Sequence, residues 1–328
     1  MKHIGKSYDK VDAKGILSGK PSYTGDFVPK DALIIKVLRS PHAQAKIKSI
    51  DTSKAKLIPG VEAIFTYEDV PNTRFTLAGQ TYPEPSAYDA LILDSVVRYV
   101  GDEVALVVAK DEATALKAMP LIKVEYEVQK PVLDLRTAMD HETVVHPEDD
   151  ILNHIPVGQD YKRNICVSYH KRVGDIEAEL AKCDYVVEGT YFDQATRQSA
   201  MEPFQSFGYI DHLGRIVIVS STQIVFHVRR HIARALGIPA SKIRVIKPRI
   251  GGGFGSKQTA CTELMTAFVT WKLQKPCYLL YDRTEAQTCS TTRHAREWYI
   301  RLGATKDGII QVIDMDSITA AGAHATHC

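Results

Sequence analysis

The stretch from Arg215 to Gln258 constrains this chain more than any other. An apolar run from Arg215 to Ser220 reads as a strand. Val225, Val228, Ile232, Ala235 and Leu236 then fall on one face of a helix, and Gly237-Ile-Pro239 stops it. A second strand, Ile243 to Lys247, runs into Gly251-Gly-Gly-Phe-Gly255, and a further helical run starts at Thr259. Three glycines after a strand and before a helix let main chain approach a ligand where any Cβ would clash. Backbone N–H groups in such a loop suit an anionic or oxo ligand. A glycine-rich turn with no ligand is the alternative.

Strict reading removes the nucleotide loops. A GxGxxG fingerprint starting at Gly251 needs glycine at position 256, where Ser256 stands. A Walker A loop needs Gly-Lys-Ser/Thr, but Ser256 precedes Lys257 and Gln258 follows it. Gln223, between strand end and helix, carries an amide that can donate to an oxo or sulfido ligand. Arg229, Arg230 and Arg234 lie on the polar side of the helix and are expected to form a solvated face. Glu202, in Met201-Glu-Pro, reads as a surface or hydrogen-bonding carboxylate rather than a base. His324-x-x-His327-Cys328 has metal-like spacing but reads as loop after a strand, and His141, His146 and His154 as solvated surface. No GxSxG, HExxH or paired Cys/His pattern occurs.

Along the chain, residues 1–30 form a polar arm. Strands are expected from Ala32 to Pro41, over 61–70, from Ala90 to Leu93, from Glu103 to Ala109 and from Leu121 to Glu127. Asp111 caps the helix EATALKAM among them. This is an α+β unit over residues 1–135. Residues 136–165, acidic and weakly patterned, read as a linker. The second unit, 166–328, adds a helix from Asp175, a strand from Asp184 to Phe192, strands at Ser206–Ile210 and Cys277–Tyr281, and a hairpin of Trp298–Ala304 with Ile309–Thr319. The 41 basic and 39 acidic residues nearly cancel, so charge argues for neither nucleic acid nor a membrane surface as partner. Neither a bilayer-spanning run nor a secretory h-region is visible, and six cysteines without a CxxC give no zinc, iron–sulfur or disulfide framework. Reduced thiols in a cytoplasmic protein are expected.

These motifs together resemble one family. STQ, helix, strand and GGGFGSKQ in that order are similar to the molybdopterin-binding subunit of the xanthine dehydrogenase and aldehyde oxidase family, most of all to bacterial xanthine dehydrogenase molybdenum subunits. LRSPHAQAKIKSIDTSKAKLIPGVEAIFTYEDVP and RYVGDEVALVVAKDEATALKAMPLIKVEYE resemble its a/b hammerhead domain, and TRHAREWYIRLGATKDGIIQVIDMDSITAAGAHATH the far side of its first cofactor-binding domain. The resemblance implies a hammerhead followed by most of that domain. It implies molybdenum–molybdopterin as cofactor, its dinucleotide form left open, near Gln223, Phe254 and Gly255 without a direct protein ligand. Gln223 matches a glutamine that contacts a molybdenum ligand. Gly252, Gly253, Phe254 and Gly255 match the loop against the cofactor. Gln258 falls where animal xanthine oxidases orient the purine with a glutamate.

The implied reaction is oxidative hydroxylation of a small molecule, with water as oxygen source and xanthine or hypoxanthine as substrate. Aldehydes or other N-heterocycles such as nicotinate are the alternative, because Gln258 departs from the acidic residue. Electrons would leave through 2Fe-2S clusters and FAD on partner subunits. The general-base glutamate belongs to the family's C-terminal half, expected on a separate chain or lost. In the second case this chain would be a truncated, non-catalytic fragment. No catalytic residue is assigned within it.

Overall fold

The computed structural model describes residues 3–79 and 81–327. In the first half, α1 (Ala13–Leu17) lies in the polar arm. β1 (Leu33–Arg39), β2 (Ala45–Asp51), α2 (Ser53–Lys56), β3 (Val61–Phe65) and β4 (Val96–Val97) follow. β5 (Glu103–Ala109), α3 (Glu112–Ala118) and β6 (Lys123–Val128) close it. The second half begins with α4 (Ile176–Leu180), β7 (Tyr185–Asp193), β8 (Gln205–Ile210) and β9 (Ile216–Ser220). It continues through α5 (Val225–Leu236), β10 (Ile243–Ile246), α6 (Glu263–Leu273), β11 (Cys277–Leu280), α7 (Arg283–Thr288), β12 (Arg296–Ala304) and β13 (Ile310–Thr319).

A seven-stranded mixed sheet in the order β10-β9-β8-β11-β1-β5-β3 crosses both halves. The halves meet where β1 pairs in parallel with β11, Leu33 opposite Cys277 and Ile35 opposite Leu279. β9 and β10 are also parallel, joined through α5, which makes a βαβ unit of the stretch read first in the sequence. β9 is buried along its whole length, as a near-continuous apolar run requires. α6 is buried on every side from Glu263 to Thr270, so its apolar residues show no stripe. Two smaller sheets, β4-β2-β6 and β7-β12-β13, flank the large one. Among the described residues, no helix is long and apolar enough to cross a membrane.

The capping and turn chemistry matches expectation. The Asp111 side chain accepts from the Thr114 amide at the start of α3, and Gly237 ends α5 in the left-handed region at φ 64°. Three expectations fail. Ala90–Leu93 is no strand: Ala90 makes a single bridge to Phe75, while Ala90, Ile92 and Leu93 are buried as loop residues. Their apolar run reports burial without pairing. β2 was not expected, because its lysines dilute the alternation and an irregularity between Ile47 and Ser49 shifts the register against β6.

The third failure is the arginine cluster of α5, which is not a solvated face. Arg229 donates to the Ala240 carbonyl, and Arg234 donates to the Arg74 carbonyl while lying over the Tyr88 ring. Arg230 lies over the Tyr82 ring and forms a 2.8 Å ion pair with Glu84, whose side chain is 1% exposed. Thus α5 fastens the Pro/Tyr-rich loop over 71–90, whose charge partners lie too far off in sequence for helix periodicity to reveal. Burial alone would raise the Glu84 carboxyl, yet His231, Arg230 and Tyr88 together hold it well below the usual carboxylate range. A depressed folded pKa contributes stability above the ordinary carboxylate pKa, and that stability is lost as pH falls through the folded value. Glu84→Gln is therefore expected to lower unfolding stability by about 2–3 kcal/mol at neutral pH. The gap to wild type should narrow steadily below pH about 4.5 in urea titrations at stepped pH.

Candidate functional site

β9 delivers Ser220, and the chain then turns through Ser221 and Thr222, both buried, to an exposed Gln223 at the start of α5. β10 leads toward Gly251–Gly255, and a short turn of helix over Ser256–Gln258 returns the chain to the core. The two segments touch directly: the Gln223 amide donates to the Lys257 carbonyl at 2.8 Å. Gly253 abuts the Gln223 carboxamide so closely that a Cβ there would sit 2.6 Å from Gln223 Oε1. The structure thus brings Gln223, Gly252, Gly253, Phe254, Gly255 and Gln258 to one surface.

The loop conformation is uncommon. Gly252 and Gly255 have φ of 101° and 90°, and Phe254 holds φ 50° with its ring 75% exposed. A non-glycine residue there costs on the order of 1–2 kcal/mol, and an exposed phenylalanine recovers little of that by burial. A glycine is required at Gly252 also because a Cβ would lie 3.0 Å from the Phe254 ring. The amides of Gly252, Gly253, Phe254 and Gly255 donate to no acceptor among the described residues, and nothing lies within 4 Å of a Cβ built on Gly255. Several unpaired backbone donors, one exposed carboxamide and open space beside them fit a group that presents oxygen or sulfur acceptors.

A buried ion pair holds the loop from beneath. Lys257 Nζ lies 2.9 Å from Glu202 Oε2, with side chains 1% and 9% exposed. The same oxygen accepts the Gly251 amide at 2.7 Å, and Glu202 Oε1 accepts from the Gln205 amide at 2.8 Å. The Glu202 amide donates back to the Gly251 carbonyl at 3.0 Å. Burial pushes the Lys257 pKa down, and the Glu202 charge opposes that shift. Ser256 Oγ adds a 2.7 Å bond to the Gly253 carbonyl. Sequence reading missed Lys257, which was weighed only as a failed Walker lysine. A lysine inside a glycine loop with no phosphate role needs a buried acid, and the Glu202 set aside as a lone carboxylate is that acid.

A cavity of about 330 Å³ lies beside this site, lined by Phe75, Leu77, Asp102, Cys261, His294 and others. Thr259 and Ala260, just past Gln258, reach it, but none of the six sequence-predicted residues does. Burial, with the nearby Glu103 charge, raises the Asp102 carboxyl at its rim.

Loop, sheet and flanking sheet together define a class: a hammerhead unit joined to a cofactor-binding domain that presents a glycine loop. The family description "Aldehyde oxidase and xanthine dehydrogenase, a/b hammerhead domain" matches residues 18–130, and "Molybdopterin cofactor-binding domain" matches residues 157–328. The chain belongs to the aldehyde oxidase and xanthine dehydrogenase family, of which it carries the hammerhead and molybdopterin cofactor-binding parts. It is 38% identical over 348 residues to a protein named as a probable hypoxanthine oxidase of Escherichia coli K12, covering 99% of this chain and 36% of that one. It is 31% identical to the nicotinate dehydrogenase large molybdopterin subunit of Eubacterium barkeri, covering 99% of this chain and 72% of that one. Among solved structures, CO dehydrogenase of Oligotropha carboxidovorans superposes with a TM-score of 0.77 at 29% identity, over 95% of this chain and 39% of that one. The chain thus spans little more than a third of the hypoxanthine oxidase relative's length.

Replacing Lys257 strands a buried carboxylate. Lys257→Met is expected to cost about 3 kcal/mol in urea unfolding. It should also speed hydrogen exchange at the bonded amides of Gly251, Ser256 and Gln223 relative to amides of β9.

Proposed function

We propose that this chain supplies the cofactor-loop wall of a molybdenum hydroxylase acting on a purine such as hypoxanthine or xanthine. The observation that carries the reading is the exposed Gln223 carboxamide set against four backbone amides with no acceptor among the described residues. Gln223, Gly252, Gly253, Phe254 and Gly255 would hold the molybdenum–molybdopterin group. When bound, that group supplies the oxygen-transfer and two-electron chemistry. The chain's own part is positional. Gln223 Nε2 would donate to an acceptor on the group, and the Gly255 amide to a second. The glycines allow close approach, and the Phe254 ring walls off water on the open side. Such fixed donors in a water-poor site are worth about 2.7–4 kcal/mol each in comparable acyl-transfer sites.

Gln258 is the proposed substrate-reading residue. Its side chain is exposed at the loop's end, while its backbone is fixed by the Gly255 carbonyl and by His327 Nε2, 3.2 Å from its own carbonyl. A carboxamide both donates and accepts, so it can pair with a purine's ring N–H and carbonyl edge. The hypoxanthine oxidase relative supports a purine. The nicotinate dehydrogenase relative, matched over nearly the whole chain, supports another N-heterocycle as the second reading.

The general base, the iron–sulfur and FAD groups, and the remainder of the relatives' length are proposed to come from partner polypeptides. The flanking sheet supports such partners: Tyr185, Val187, Tyr191, Ile310, Ile313 and Met315 are each more than half exposed on β7 and β13. The unit boundaries at about 135 and 165 remain part of this proposal.

The test is metal analysis and turnover of the complex purified through this chain. Molybdenum should co-purify, and hypoxanthine should be hydroxylated in preference to nicotinate and aldehydes. Gln223→Ala should retain the fold and lose about 100-fold in turnover. Gly253→Ala, which displaces the Gln223 carboxamide, should reproduce much of that loss. A complex without molybdenum overturns the reading, while preference for nicotinate replaces the purine alone.

A further inference from the structure

The histidines expected at the surface lead to a second site. Three segments meet behind the part of the cavity wall that Ala323 and His324 form. The loop before β4 brings Asp89, the 136–165 stretch brings His146, and the segment after β13 brings His324. His146 is not solvated: it is 8% exposed and Asp89 1%. His324 is likewise no loose loop residue, whereas its motif partner His327 points elsewhere, to Gln258 and Thr259. Cys328 lies outside the described residues. Asp89 Oδ1 is 3.3 Å from His324 Nδ1, and Asp89 Oδ2 is 3.8 Å from His146 Nε2. One donor atom from each of the three falls within 4.8 Å of the other two.

Hydrogen bonds leave much of this cluster unsatisfied. Asp89 Oδ2 accepts the Ala325 amide at 2.7 Å, and His146 Nε2 lies 2.6 Å from the Ala323 carbonyl. Asp89 Oδ1, His324 Nδ1, His146 Nδ1 and Glu148 Oε2 are all buried without a well-formed hydrogen bond. They face one another in two loose pairs, Asp89 Oδ1 to His324 Nδ1 at 3.3 Å and Glu148 Oε2 to His146 Nδ1 at 3.6 Å, neither with the geometry of a good hydrogen bond.

We propose that Asp89, His146 and His324 bind a divalent first-row transition ion of the zinc type. Two imidazoles and one carboxylate are borderline-soft donors that suit zinc and its neighbours, whereas magnesium and calcium prefer all-oxygen sets. Ligands of a tetrahedral ion with bonds of about 2.0–2.1 Å stand roughly 3.3 Å apart. Asp89 Oδ1 and His324 Nδ1 already have that spacing, whereas His146 Nε2 faces the other oxygen, Oδ2, at 3.8 Å, so the Asp89 carboxylate or the His146 ring must turn to bring all three to one ion. Glu148 Oε2 lies 3.6 Å from Nδ1 on the far edge of the His146 ring, where a carboxylate can accept an Nδ1–H hydrogen bond once Nε2 exchanges its bond to the Ala323 carbonyl for the metal. Bound there, the ion clamps the 136–165 stretch to the segment after β13, and Ala323 and His324 carry the clamp to the cavity lining. The site is separate from the glycine loop, so the proposal stands apart from the functional reading above.

The test is calorimetric titration of the chelator-treated protein, with any polypeptide that co-purifies, using zinc chloride in a large excess of magnesium. One zinc per chain with a dissociation constant below about 10 µM is expected, and His324→Gln should weaken it at least tenfold. Glu148→Gln, which removes only the carboxylate behind His146, should weaken it about tenfold. His212→Gln, on an exposed turn, should leave it unchanged. Cobalt in place of zinc should give a visible absorption that His146→Gln abolishes. Absence of zinc binding, or unchanged affinity in both His324→Gln and Glu148→Gln, overturns the proposal and leaves a plain Asp89–His324 ion pair.

Discussion

The parallel pairing of β1 with β11 is the constraint on which the rest depends. It sets Leu33, Ile34 and Ile35 beside Cys277, Tyr278 and Leu279, and the Leu33 amide also reaches the Pro276 carbonyl at 2.9 Å. Strands more than two hundred positions apart thereby belong to one sheet, and the largest apolar cluster draws on both halves, from Ile35 and Leu106 to Phe268 and Leu279. A parallel pair buries both faces of its strands, and here the cover comes from α6 on the side of the second half. The glycine loop is consequently mounted on a sheet that no single half could complete. Its position relative to the 71–90 loop is set by this seam and by the arginines of α5.

Charged groups accumulate along the same seam. Arg39 on β1 pairs with Glu103 on β5 at 2.8 Å and with Glu285 on α7 at 3.0 Å, and stacks over Tyr281. Arg98, 1% exposed, pairs with Asp94 at 2.8 Å and with Glu148. Ion pairs this deep add little net stability over apolar residues of equal size, because desolvation offsets the attraction. They are selective instead: a misregistered β1 or a displaced 136–165 stretch would leave a buried charge alone. Asp94 lies four residues from Arg98, but Glu103, Glu148 and Glu285 come from other segments than their arginines, and the Arg39–Glu285 pair closes only when both halves dock.

This also explains what was legible in the sequence. The βαβ unit around Gly251–Gly255, the Asp111 cap and the β12–β13 hairpin were readable because their determinants are local: periodicity, a capping side chain, a turn. That Gln223 adjoins the glycine loop was readable for the same reason, since one βαβ unit carries both. Lys257 with Glu202, Arg230 with Glu84, and His146 with Asp89 and His324 were not. Each pairs residues separated by fifty positions or more. A charged or histidine residue in a polar stretch carries no local mark of burial. The seven-stranded sheet was hidden too, since composition divides the chain at 136–165 while hydrogen bonding crosses that division.

The loop itself combines strain with firm support, and that combination is informative. Phe254 at φ 50° with an exposed ring would relax if its neighbours were free to move. Glu202 prevents this by engaging Gly251, Lys257 and Gln205 at once, while Gly253 is held by both hydroxyl and amide of Ser256. The chain therefore bears the conformational cost of the loop on folding, before any ligand arrives. A ligand entering beside Gln223 meets amides that are already held in place and have no acceptor among the described residues, so little of its binding free energy is lost to ordering them. A loop whose role was only to connect β10 to α6 would gain nothing from a buried ion pair beneath an unsatisfied surface. The arrangement has a physical rationale when something occupies that surface.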